Sequence, residues 1–421
     1  MVSHWSMILF LVALVTMTTM LEGEAFPKPS PASGLHSSPR EKARQYFTTE
    51  ELARGRAYAR GRYLLFFLRL ALTLGLFTIL TLTPLSTGIH DLSVSAAGGR
   101  VWLTVAVFGL LLGILYYAVT FPLSLYGNFL REHAFGLSTQ TFASWVRDYA
   151  KGALISTGIM LPLLILLYAI IRWSPGRWYL PAWAVAVAVM ALMAELSPIL
   201  IDPLFHTFKP VEDPRLVERI HTLADRAGLR VGPILEMDAS RKTKKTNAYF
   251  TGLGRARRVV LYDTLIATSS PEEVELVLAH ELGHWKRHHI WKGIALGAAS
   301  MLMALWLIAG LLSAAASSGR FGFIHPADVR SLPLMLLAFL TLNIATMPIQ
   351  QAISRAFERQ ADLESLRLTN NPDAFIASEV TLARTNLADI EPPKAVIWFL
   401  YTHPPVLERI AMAEAFRAET K

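Results

Sequence analysis

Cysteine is absent from the 421 residues. Disulfides and thiolate metal sites are thereby excluded, and any bound metal must be held by His, Asp or Glu. Charge is scarce as well. Only 17% of residues are Asp, Glu, Lys or Arg, while 53% are apolar, and the mean hydropathy is +0.39. An ordinary soluble domain carries about 25% charged residues, so the composition excludes an ordinary soluble enzyme.

Long uncharged runs account for this. About twenty apolar residues cross the hydrocarbon layer of a bilayer. Runs near 63–86, 101–124, 152–172, 181–202, 290–315 and 331–351 read as membrane spans. A shorter run, Met7–Leu21, precedes them and ends in "EGEA". It reads as a first span with its N-terminus outside, or as a signal peptide. A cleaved signal would export the basic stretch 40–62, which favours the span.

The formal charge of +8 gathers in alternate loops. Lys42, Arg44, Arg54, Arg56, Arg60 and Arg62 precede the second span, and Arg131, Arg147 and Lys151 lie between the third and fourth. Loops 87–100, 173–180 and 316–330 are poor in Lys and Arg. By the positive-inside rule, 22–62, 127–151, 203–289 and the C-terminal tail face the cytoplasm. "RKTKK" (Arg241–Lys245) then reads as a solvated loop near anionic lipid, and no nucleic-acid partner is expected.

The expected organisation has five parts. Residues 1–62 hold the N-terminal segment and the Pro/Ser-rich linker "FPKPSPASGLHSSPR", and 63–202 hold spans two to five. Residues 203–289 form a cytoplasmic α+β element, 290–351 hold spans six and seven, and 352–421 form a C-terminal helical region. Within the α+β element, "RLVERIHTLADRAGL" has helical spacing up to Gly228. "PILEMDAS", "TNAYFTG" and "RRVVLYD" have the β-branched and aromatic content of three short strands. The fold class is therefore mostly α: a polytopic membrane protein with a small α+β element.

Ser270-Pro271-Glu272-Glu273 then announces a helix, with an N-cap serine, proline at the first turn and glutamate three residues after the cap. It runs through "LAHELGHWKRHH" and is expected to continue into the sixth span. On it, His280 and His284 stand one turn apart and face one way, so both imidazoles can share a cation. Glu281 sits where its carboxylate reaches an attacking water, completing the HExxH arrangement of two ligands and a general base. The third ligand belongs on another helix. "SRAFERQADLESL" supplies Glu358 and, one turn later, Asp362. Glu358 completes a His₂Glu set for zinc with an open fourth position, as in catalytic sites. Asp362 is suited to accept the second ring N–H of a ligand histidine. The bland alternatives are that Glu358 pairs with Arg355 or Arg359, and that His288 or His289 is a rival ligand. In "THPPVLERI", His403 and Arg409 are candidates to stabilise the oxyanion of hydrolysis. In "NAYF", Asn247 and the adjoining Ala248 are candidates to align a peptide along a strand edge.

Taken together, "PLSLYGNFLREHAFGLSTQTFASWVRDYAKG", "SPILIDPLFHTFKP", "KTNAYFTGLG", "LAHELGHWKRHH", "SRAFERQAD" and "THPPVLERI" resemble the type I CAAX prenyl protease family over roughly 40–415. The resemblance implies about seven membrane helices enclosing a chamber, with a zinc site at the cytoplasmic end. His280, His284 and Glu358 would be the ligands and Glu281 the base. Asn247, Asp362, His403 and Arg409 would hold substrate or orient the site. It implies cleavage of the last three residues after a prenylated cysteine, so the partners expected are the lipid bilayer and a peptide or membrane-tethered, prenylated protein. Two other functions fit the same residues: a membrane-protein quality-control protease, and a scaffold with structural zinc. The scaffold is disfavoured, because a structural site is normally closed by four protein ligands. The residues do not speak to oligomeric state.

The charge pattern makes a direct prediction. Reporter fusions at residues 90 and 320 should report the outer side, and fusions at 140 and 240 the inner side. A fusion at 45 reporting outside would replace the first span by a cleaved signal.

Overall fold

The computed structural model describes residues 39–251 and 258–420. Met7–Leu21 lies outside them, as does most of the Pro/Ser-rich linker. Among the described residues, six helices are long and apolar enough to cross a membrane: Thr49–Leu82, Val101–Ala134, Phe142–Trp173, Tyr179–Leu204, His289–Ser318 and Val329–Thr369. They correspond one to one to the six expected runs.

The helices extend further than hydropathy alone indicates. Thr48 caps the first of them, its side chain accepting from Glu51 N–H while Glu51 accepts from the Thr48 N–H. The basic stretch up to Arg62 is thus the solvated end of a membrane helix rather than a loop. That helix stops at Leu82 because Pro84 forces Thr83 into extended backbone. A separate helix, Leu85–Ala96, follows. At the other end of the chain, Leu332–Thr369 is one helix. The boundary expected at 351/352 falls inside it, so the seventh span and the segment bearing Glu358 and Asp362 are one rod.

The spans meet along narrow seams. No more than 28% of the apolar stretch of any span is buried, and only 6% in Tyr179–Leu204. Their shared core lies around Leu80, Phe108, Tyr168, Ile171, Trp178 and Leu312.

The polar element between the spans contains a four-stranded sheet: β1 (Phe208–Pro210), β2 (Ile234–Met237), β3 (Ala248–Thr251) and β4 (Arg258–Tyr262). Its order is β1-β2-β4-β3, with β2 and β4 parallel and the other pairs antiparallel. Three of these strands were expected. β1 was not, since it is three residues long and ends on Pro210, a residue tolerated only at a sheet edge.

Against this sheet packs the HExxH helix, Pro271–Lys286, whose start carries the expected capping box between Ser270 and Glu273. Leu278 and Leu282 are fully buried with Val259, Leu261 and Ile220, each contributing about 1.5–3 kcal/mol of apolar burial. The opposite side of the helix meets Leu332–Thr369. There a Cβ on Gly283 would lie 2.9 Å from both Cα and O of Ala361. Only glycine admits that approach.

One expectation is corrected. The HExxH helix does not run on into the sixth span. His288 adopts the left-handed conformation (φ 56°, ψ 32°) and the span begins anew at His289. A non-glycine residue there costs roughly 1–2 kcal/mol, and the turn it makes redirects the chain between site and membrane.

Gly283→Ala should force the two helices apart. A loss of about 1–3 kcal/mol is expected, read as a lowered Tm in detergent. An unchanged Tm would show that the approach at Ala361 is not a constraint.

Candidate active site

Two helices and one short loop supply the site. His280 and His284 project from the HExxH helix towards Glu358 on the long helix. Nε2 of His280 and Nε2 of His284 are 3.1 Å apart. Glu358 Oε2 is 3.1 Å from the former, and its Oε1 is 3.5 Å from the latter. Donors around a tetrahedral zinc with bonds of about 2.0–2.1 Å sit about 3.3 Å apart. Oε2 of Glu358 is buried and receives no hydrogen bond in line, a condition a metal ion would relieve. Among the described residues, this trio is the group that could hold a metal.

The alternative pairings of Glu358 are not what is found. Arg355 donates to the carbonyls of Ile397 and Tyr401, at 2.8 Å each, and Arg359 pairs with Glu408 at 2.7 Å.

Asp362 is fully buried and its Oδ1 lies 2.7 Å from His280 Nδ1. It accepts that ring N–H and leaves Nε2 free to ligate. Burial alone would lower the His280 imidazole. Asp362 and Glu358 oppose this and raise it, so the two carboxylates draw positive charge to this corner of the site. Glu281 lines a cavity of about 390 Å³ with the three ligand candidates, Phe250, Trp285 and His403. Burial raises its carboxyl, opposed by His280 and His284. His403, at the start of its proline-stiffened turn, places Nε2 3.2 Å from Glu358 Oε2.

This arrangement can be set beside known proteins. The peptidase family M48 model matches residues 210–417, and that of the CAAX prenyl protease N-terminal region, with five membrane helices, matches 34–207. A Bacillus subtilis protein described as an uncharacterized metalloprotease is 31% identical, over 92% of this chain and 90% of its own length. CAAX prenyl protease 1 of Saccharomyces cerevisiae is 30% identical over 71% of this chain and 70% of its own. The chain belongs to peptidase family M48.

The crystal structure of S. mikatae Ste24p shares the fold of this M48 peptidase. The TM-score is 0.79 over 98% of this chain and 100% of the other, at 24% identity. The M48 peptidase is thus a multi-pass membrane metalloprotease of the CAAX prenyl protease 1 family.

Its remaining candidate residues fall into two groups. Asn247 borders a second cavity of about 580 Å³, which also touches His403 and Arg409. Its side chain accepts from the Ala248 N–H at 2.9 Å, and Ala248 opens β3, an edge strand of the sheet. Arg409 stands behind the candidate ligands. It donates to both oxygens of Asp362 and, at 2.6 Å, to Glu379. Burial would lower its ionisation, but Asp362 and Glu379 raise it, so it remains a cation.

Sequence reading missed two partners in this M48 site. Glu379 holds the far side of Arg409. A signal existed: Phe375, Ile376, Val380 and Ala383 mark one buried helix face, and an acid within an apolar stripe requires a partner. His289 was weighed only as a rival ligand. It lies instead against the outer nitrogen of His284, while His288 is exposed at the turn between the two helices.

Glu358→Ala should reduce bound metal in the M48 peptidase to well below one equivalent, measured by elemental analysis of purified protein. Full occupancy would remove Glu358 from the ligand set.

Proposed function

We propose that the M48 chain is a zinc-dependent endopeptidase that cuts membrane-tethered, prenylated substrates at the cytoplasmic face of the bilayer. The observation that carries this reading is the meeting of His280, His284 and Glu358 in a cavity that also holds Glu281. His280, His284 and Glu358 would hold the zinc, which when bound lowers the pKa of water and polarises the scissile carbonyl. Glu281 takes a proton from the attacking water at its carboxylate and passes it to the leaving amine. Its raised pKa, caused by burial, suits that exchange. His403 points Nε2 into the same cavity and is assigned to donate to the developing oxyanion. Arg409 is assigned to hold Asp362, since its guanidinium is committed to two carboxylates.

Substrate alignment falls to the free edge of β3. Asn386 donates to the Thr246 carbonyl and accepts from the Thr246 N–H, each at 3.2 Å. That closes the edge just before Asn247. A peptide adding as a further strand therefore meets the Asn247 side chain and the Ala248 carbonyl first, and the second cavity receives its adjoining residues.

Membrane placement explains why water chemistry is mounted here. Glu358 lies about 39 Å along its helix from Leu332, at ~1.5 Å per residue, and the hydrocarbon core is about 30 Å thick. A lipid anchor stays at bilayer depth while the peptide beside it reaches the site. The basic flanks of the spans support assigning this end to the cytoplasm. A second reading keeps the chemistry and widens the substrate to unprenylated membrane proteins. The Bacillus subtilis relative, matched over 92% of the chain and described as a metalloprotease, is compatible with it.

The decisive experiment gives purified protein a farnesylated CAAX peptide, its unprenylated twin and an unrelated unfolded membrane protein. Cleavage confined to the farnesylated peptide is expected. Equal cleavage of all three would establish the second reading. In the same assay Glu281→Ala should keep its zinc and lose about 10²–10⁴-fold in turnover; undiminished turnover would dismiss it as the base.

A further inference from the structure

We propose that His289, held by Gln360, is a positioning residue that sets the tautomer of His284 and aims its Nε2 at the metal centre. This rests on His284 being a ligand, as proposed above.

The relay follows from which atoms can donate. Nε2 of His289 lies 3.0 Å from Oε1 of Gln360. A carbonyl oxygen only accepts, so Nε2 carries the hydrogen and Nδ1 of His289 presents a lone pair. Nδ1 of His289 is 3.0 Å from Nδ1 of His284. The hydrogen between them therefore belongs to His284, whose Nε2 is left bare and faces Glu358 and His280. Turning the Gln360 amide over would reverse every donor in the series. It would leave a proton on Nε2 of His284, and a ligand nitrogen cannot carry one.

The packing holds the relay still. The His289 ring is buried and stacks on Phe357, with centroids 4.4 Å apart and planes within 8°. It meets the His284 ring edge-on at 5.0 Å. In an unbroken helix, residue 289 would point about 140° away from residue 284, at ~3.6 residues per turn. The left-handed turn at His288 is what returns His289 to its neighbour. Strain retained beside a functional centre is a mark of use.

One stretch of the long helix therefore aligns both imidazoles. Asp362 grips His280 directly, while Phe357 and Gln360 fix His284 through His289, on either side of Glu358. The two ligands differ in kind. His280 is backed by a buried carboxylate that Arg409 neutralises, whereas His284 is backed by a neutral ring and amide.

The test measures zinc affinity by chelator competition, with the Tm of the metal-free protein alongside. His289→Phe keeps a flat ring against Phe357 and removes both hydrogen bonds. Its zinc affinity should fall 10–100-fold, the usual loss when a ligand's supporting partner is removed, with the Tm of the metal-free protein unchanged. His289→Asn offers an amide oxygen near the position of Nδ1 and should recover much of that affinity. Gln360→Met should show a smaller loss in the same direction. Zinc affinity within twofold of native in His289→Phe would overturn the proposal. So would a fall in both Tm and affinity that His289→Asn does not recover, because that marks a packing role alone. His284→Ala separates the two layers. If it binds zinc normally, the ligand reading has failed; if it loses zinc while His289→Phe keeps it, only the relay has.

Discussion

The site depends on how closely two helices approach. With a hydrogen as its side chain, Gly283 lets the HExxH helix lie against the backbone of Ala361. Glu358 and Asp362 flank Ala361 by three residues and one, and His280 and His284 flank Gly283 by three and one. The tightest point of the interface is thus the pivot about which ligand and supporting groups are arrayed. A wider separation would leave the carboxylates out of reach of both imidazoles, whatever their own conformations.

Electrostatics sets the second requirement. Glu358, Asp362 and Glu379 are all buried carboxylates, and Arg409 is the guanidinium that joins two of them. Burying such groups is favourable only when partners and hydrogen bonds compensate their lost hydration. The carboxylates outnumber the guanidinium, so the cluster remains an attractor for positive charge at the point where Glu358 and the imidazoles meet. Fixing Asp362 on both oxygens also keeps the His280 ring from rotating. The C-terminal helix Val406–Glu419, remote in sequence from the HExxH motif, therefore supports the candidate metal centre through one side chain.

The third requirement is position relative to the bilayer. The long helix continues from its apolar stretch to the candidate site, with Pro348 inside it, so the span and Glu358 belong to one element. The partner helix behaves differently. Its chain turns at His288 before entering the membrane, which frees the HExxH helix to follow the sheet while the span follows the bilayer. The candidate site thus joins one helix that continues into a span and one that is separated from its span by a turn.

Much of this was readable from local pattern. Spans follow from runs of uncharged residues, the helix start at Ser270 from its capping box, and three strands from their composition. The candidate pairs follow from spacing: residues four apart on a helix must share a face, so that His280 lies beside His284, and Glu358 beside Asp362, was determined by the sequence alone. The tertiary structure decided what spacing cannot reach. Glu358 was read as the third ligand, and the alternative of a pairing with Arg355 or Arg359 fell away only when both were seen to bond elsewhere. Arg409 found Glu379, and His289 turned back on His284, only because of helix docking and a left-handed turn. Periodicity reports which side of an element a residue occupies; it carries no information about which other element, distant along the chain, will be packed against that side.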